Sequence, residues 1–281
     1  MSSRVVRHAV GRDQVARELR AAAPLMADLA APVTARAPWL TSVLDAGRAR
    51  RFGGRPVAVV VEGDHGGRPD AVAFLHLRRR GIATDVTLLG DGTGPVPGGR
   101  PPARLLARDE DAAAVLAEGV EHLLGTLRGT WLLRLAGLPM GDPTARHLAA
   151  RFLDGRIGNV RSQGLVDTLD GDRVIRSTDP RVLEEELSFL LGHLPQPTGR
   201  AFLRAAARLH AAIGQVEVAV RAEPRAVLLT LLDGTDRWPW VAATDDGAGL
   251  PTALGAPLVA LTVPSTGWPP APGFRSRGAR R

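Results

Sequence analysis

The chain contains no cysteine, no tyrosine and no lysine, and isoleucine is scarce. Without cysteine, disulfide scaffolds, thiolate metal sites and cysteine nucleophiles are excluded. No stretch approaches the roughly 18 uninterrupted apolar residues that span a bilayer. The opening MSSRVVRHAVGRDQ has no apolar core of a secretory signal, so a soluble cytoplasmic protein with no membrane partner is the expectation. The histidines His8, His65, His76, His122, His147, His193 and His210 form no His-x-His or His-x-x-x-His pair, and no metal site is legible. Gly-x-Ser-x-Gly, Walker and dinucleotide glycine fingerprints are missing as well. LGDGTG (Leu89–Gly94) imitates the last only superficially, because a proline-rich loop follows it instead of a helix.

All 36 basic residues are arginine, set against 29 carboxylates for a formal charge of +7 over 281 residues. GC-rich codon usage produces arginine in place of lysine, so the arginine count is partly mutational bias. The densest groups are Arg48, Arg50, Arg51 and Arg55 in RARRFGGR and the tail FRSRGARR. They carry an alternative reading as an arginine-rich nucleic-acid binder. The dispersal of the remaining charge among carboxylates argues instead for a solvated surface.

An apolar fraction of 44% supports a substantial core. RVVRHAV (Arg4–Val10) reads as a strand. A helix follows near Asp13–Ala23, closed by Pro24, and a second helical piece begins at Pro38. RPVAVVVEGD, AVAFLHL and DVTLLG are three strands with short connections, an antiparallel meander. Asp91–Pro102 is a proline- and glycine-rich loop, after which ARLLARD adds a short strand. Asp111–Leu127 is an amphipathic helix with Ala113, Leu116, Ala117, Val120, Leu124 and Leu127 on one face. Asp109, Glu110 and Asp111 open it, where the helix dipole favours carboxylates. A strand TWLLRLAGL, a helix from Asp142-Pro143 and a strand NVRSQGLVDTL complete this part. Beyond Asp170 come two helices, capped by Asp179-Pro180 and centred on RAFLRAAARLHAAIG. The strands QVEVAV, RAVLLTLLDG, WPWVAATD and APLVALTVP follow. Pro239 marks an edge strand, and core packing is the expectation for Trp238 and Trp240. The divisions expected are a first domain at 1–170, a smaller helix-plus-meander domain at 171–270 and a disordered basic tail at 271–281.

The pattern Leu75, Leu77, Arg78–Arg80, Leu88, Leu89, Gly90, Asp91, together with TWLLRLAGLP and its following helix, resembles the GNAT acetyltransferase fold. More narrowly it is similar to tandem-domain acyltransferases of the FemAB and CelD-like type, over roughly residues 4–170. The resemblance implies an α/β (α+β) fold. A GNAT-like mixed sheet would be flanked by helices and joined by a second, smaller and incomplete α+β domain. It also implies a splayed pair of parallel strands with a groove beside the central helix, and acyl-CoA as co-substrate. In that fold the coenzyme pyrophosphate rests on backbone amides of a glycine-rich loop at the start of the central helix. Here the place reads RLLARDEDAAAV, with no glycine and three consecutive acids, so a diphosphate is not expected to bind there.

The site residues that follow are His76 or Glu62 as general base and Arg78 or Arg104 on the anionic end of an acyl-CoA or acceptor. For His76 the plainer expectation is a hydrogen-bonded strand-end histidine. For Glu62 it is an acid balancing nearby arginines, and for Arg78–Arg80 a charged hairpin turn. The function expected is acyl transfer to an amine or hydroxyl of a small-molecule acceptor. The alternative is a non-catalytic scaffold or regulatory relative that serves a protein partner.

Overall fold

The structure, a computed structural model, describes residues 4–47, 54–63, 68–171, 173–194, 197–266 and 268. Arg48, Arg50, Arg51, His65 and the tail 271–281, singled out above, lie outside these. The fold is α+β, with a large mixed sheet, a second four-stranded sheet and seven helices among the described residues.

The large sheet starts with β1 (Val5–Val10), β2 (Arg55–Glu62), β3 (Pro69–Arg80) and β4 (Ala83–Leu88), each antiparallel to the next. Between β1 and β2 the chain forms α1 (Arg12–Ala21), α2 (Ala23–Asp28), a 3-10 turn at Val33–Ala35, and α3 (Ala37–Gly47). Pro24 does not end the helical run as its sequence suggested. It lies in the first turn of α2, where proline's missing N–H removes no intrahelical bond.

After β4 come β5 (Leu106–Ala107), α4 (Glu110–Gly125), β6 (Trp131–Pro139), α5 (Pro143–Arg151) and β7 (Arg156–Leu165). Strand β6 runs parallel to β4, the one parallel pairing among the described strands. The register covers Thr84–Thr87 against Trp131–Arg134. Helices cover both faces of this sheet, which explains the unbroken apolar run in β2. Val57, Val59 and Val61 pack toward α4, while Ala58 and Val60 pack toward α1 and α3. Helix α4 lies so close that a Cβ on Gly119 would come within 2.8 Å of methyl groups of Val6 and Val59.

The second sheet contains β8 (Val174–Ser177), β9 (Val216–Arg221), β10 (Ala226–Asp233) and β11 (Asp236–Thr244), with α6 (Pro180–Gly192) and α7 (Pro197–Ala212) between β8 and β9. Its succession of strand, helices and three-strand meander is that of β1 to β4, and each sheet keeps its four strands in chain order. Strand β8 has no counterpart in the sequence reading. Strand β11 lies at the sheet edge, as Pro239 indicated. The last strand, β12 (Thr252–Pro264), leaves this sheet and inserts between β6 and β7 of the large one, antiparallel to both.

The helices α1, α2, α3, α6 and α7 fill the space between the two sheets with one continuous apolar core. Its centre is Trp39 of α3. The Trp39 ring centroid lies 5.0 Å from Phe202, 5.2 Å from Trp240 and 6.1 Å from His210. Trp240 donates its indole N–H to the Pro95 carbonyl at 2.9 Å, and Trp238 is buried beside it, so this pair packs in the core. Trp39→Ala is expected to destabilise the protein by about 3–5 kcal/mol, the usual cost of deleting a buried aromatic. Chemical denaturation followed by fluorescence measures it.

His210 is fully buried. Its Nδ1 pairs with the Gln215 side-chain oxygen at 3.1 Å, and its Nε2 has no hydrogen-bond partner among the described residues. Burial pushes its pKa below the ordinary histidine value, and the nearby Arg36 guanidinium adds to the shift. The unfolded chain therefore binds this proton more readily. The stability tied to neutral His210 is present above pH ~6.5 and is lost as pH falls from there toward the depressed folded value. The fall in melting temperature between pH 6.5 and 5 is expected to be shallower in His210→Gln than in the parent chain.

Candidate functional site

Strand alternation sets the floor of a cavity of ≈ 420 Å³. His76, Arg78 and Arg80 occur at every second position of β3, so all three project to one face. Asp85 and Thr87 of β4 and Arg134 of β6 extend the same floor. Val43, Leu44 and Ala46 from the last turns of α3 form an apolar wall, and Leu89–Thr93 forms another that adjoins it where Gly90 meets Val43. The turn that reverses β3 into β4 is Gly81-Ile82, where Gly81 takes φ 64°. The arginines precede that turn, and two of the three line the cavity.

Asp85 organises the floor. It is buried, and its Oδ2 lies 2.7 Å from Arg80 Nε and 3.1 Å from Arg134 Nη2. Arg12 at the rim is engaged by Asp45 and by the Leu44 carbonyl. Arg78 is different. Among the described residues it has no ion pair or hydrogen-bond partner, and it is exposed within the cavity.

Of the four residues expected to form a site, this cavity gathers His76 and Arg78. Glu62 is six residues along β2 from Pro56, which pairs with His76. At ~3.3 Å per residue that is roughly 20 Å away. Glu62 is ion-paired with Arg7, whose guanidinium also grips Glu18 at 2.7 Å. Arg104 stands across the Leu89–Gly92 segment, lining a neighbouring cavity of ≈ 110 Å³, and donates to the Leu29 carbonyl. Asp85 and Arg134 were not legible as site residues. The signal available was one acid inside the apolar strand ATDVTL, a pattern that calls for a buried partner.

The start of α4 is closed by the chain itself. Asp109 Oδ1 accepts from the Ala112 amide at 2.7 Å, and Asp109 Oδ2 lies 2.6 Å from Arg4 Nη2. Burial works to raise the Asp109 pKa, but the Ala112 amide and Arg4 outweigh it and hold the carboxyl below the usual range. Glu110 is bound at 2.7 Å by both Arg146 and His147. Beyond the β4–β6 register the Ala103 amide donates to the Gly137 carbonyl of β6 at 3.2 Å, and Leu106–Ala107 pair with Val72 and Ala71 of β3. Leu88, Ala103, Leu106 and Ala136 line the cavity of ≈ 110 Å³ there.

No family model and no curated protein matches the chain. Solved structures similar to it include the following two. A candidate acetyltransferase from Pyrococcus horikoshii is 9% identical over 93% of this chain and 89% of its own, with a TM-score of 0.39. A tandem GNAT protein from the clavulanic acid biosynthesis pathway is 13% identical over 92% of this chain and 98% of its own, with a TM-score of 0.36.

Among the described residues no cluster of histidines and carboxylates is suited to a metal ion, and no helix is long and apolar enough to cross a membrane. The chemistry available to the cavity is anion recognition by guanidinium groups and proton exchange at one imidazole. The closed start of α4 gives a direct expectation. Asp109→Ala removes the cap and costs about 1 kcal/mol, whereas Asp109→Asn keeps the cap, loses the Arg4 pair and costs less. Denaturant midpoints of the two variants measure the difference.

Proposed function

We propose that this chain is a GNAT-fold protein that binds a small molecule in the Arg78 cavity and holds no acyl-CoA at its central helix. It acts as a binding or regulatory relative of the acyltransferases. The observation carrying this reading is the occupied start of α4, where Asp109 takes an amide that a diphosphate would need and Arg4 locks it in place. A diphosphate arriving there meets fixed negative charge in place of open donors.

A second reading is favoured by one observation, the presence of His76 and Arg78 on the same cavity floor. In it the protein is an acyltransferase. Arg78 holds the anionic end of the acceptor, and the His76 imidazole takes the proton from its amine or hydroxyl as the nitrogen or oxygen attacks the thioester carbonyl; the C–S bond then breaks and coenzyme A leaves as the thiol, taking that proton. The acyl donor would then have to enter the cavity by a route that avoids the α4 terminus.

Calorimetry with acetyl-CoA and longer acyl-CoAs separates the two. The expected result is no saturable heat across the series. Saturable binding that is lost in Arg78→Ala and kept in Asp109→Asn would establish the acyltransferase reading in place of the first.

A further inference from the structure

Among the described residues, two opposite charges in the cavity lining are left unmatched. Arg78 on the floor and Asp91 on the Leu89–Thr93 wall both line it, and neither has an ion pair among the described residues. They do not pair with each other. Every other charged group in the lining is engaged: Arg80 and Arg134 by Asp85, and Arg12 by Asp45. Val43, Leu44 and Leu89 line the same cavity with apolar surface.

We propose that the cavity takes a free amino acid with an apolar side chain, its carboxylate on Arg78 and its ammonium on Asp91. This rests on the cavity reading above and names the ligand class. A guanidinium presents a planar fork that matches a carboxylate bidentately, and a charge-assisted pair of that kind is roughly twice as strong as a neutral hydrogen bond. The buried Asp85 fixes Arg80 and Arg134, so the floor around Arg78 is organised before a ligand arrives and little ordering cost remains. A simple anion would gain Arg78 but be repelled by Asp91, and a simple amine would meet the reverse. Only a molecule carrying both charges satisfies both groups. The volume of ≈ 420 Å³ falls in the range of small-molecule sites, and the aliphatic wall favours a side chain such as leucine's. Were the acyltransferase reading to hold, the same placement would put an α-amine in the cavity that contains His76.

The test is calorimetry of the full chain with L-leucine, N-acetyl-L-leucine and L-leucinamide. Leucine is expected to bind at least tenfold more tightly than either analogue. Arg78→Ala should weaken leucine at least tenfold and leave leucinamide unchanged, while Asp91→Asn should weaken leucine and leave N-acetyl-leucine unweakened. Both side chains are exposed and, among the described residues, unpaired, and circular dichroism checks that each variant keeps its fold. N-acetyl-leucine binding as tightly as leucine would overturn the inference and leave an anion-binding cavity. Absence of binding by all three would also overturn it, without touching the acyl-CoA result, which is read in a separate titration.

Discussion

The architecture depends on one strand that is late in sequence and central in space. Strand β12 inserts between β6 and β7, so the large sheet is not continuous until the chain has passed through the second sheet and returned. Its pairing begins at Thr252 opposite Leu165, and those two residues are the exit and re-entry points of that excursion. The second sheet is therefore tethered at both ends by neighbouring hydrogen-bonded strands. The helices α3 and α7 then pack the excursion back onto the first sheet through Trp39 and Phe202. Backbone pairing fixes where the excursion starts, and apolar burial fixes where it lies.

That arrangement reaches the cavity through the loop after β4. Pro95 accepts from Trp240 of β11, and the Gly99 carbonyl accepts from the Ala256 amide of β12 at 2.8 Å. Gly94 lies against the Phe202 ring, and Gly98 against the backbone of Gln163, at distances too short for a Cβ. A loop of glycines and prolines has little intrinsic order. Here it is held on one side by the second sheet and on another by the β7–β12 pair. The wall carrying Leu89 and Asp91 is thus positioned by residues far later in the chain, Gln163, Phe202, Trp240 and Ala256. The cavity floor is local, and its wall is not.

Local patterns in the sequence mark most elements well. The β-branched apolar run in RPVAVVVE, the Asp-Pro starts of α5 and α6 and the apolar face of α4 each specify an element through short-range physics. Placing APLVALTVP in the large sheet needs knowledge of a partner strand about 100 residues earlier, and an apolar run is compatible with either sheet. The four residues of β8 are too few to show a period. At the site, His76 and Arg78 were legible because strand alternation alone puts them on one face. The Asp85 cluster was not. Joining Arg80, Asp85 and Arg134 depends on the parallel β4–β6 register, and no pattern within either strand reveals it. Glu62 illustrates the reverse: its rank as a candidate base came from its chemistry, while its position at the far end of β2 gave it Arg7 as a partner.

The same chemistry decides why a ligand should prefer the sheet face to the helix terminus. In a chain whose only strong cations are arginines, a carboxylate that needs a partner takes a guanidinium. Asp109, Asp85 and Glu217 each show it, the last between Arg176 and Arg237. At α4 the carboxylate is also the helix cap, so an anion must displace a bonded group worth about 1 kcal/mol before gaining anything. It then sits beside Glu110 and Asp111. At the sheet face the pairing leaves a remainder, because one buried carboxylate serves two arginines and the third is left over. Recognition belongs where the protein's own charges fail to cancel, and Arg78 with Asp91 is such a place.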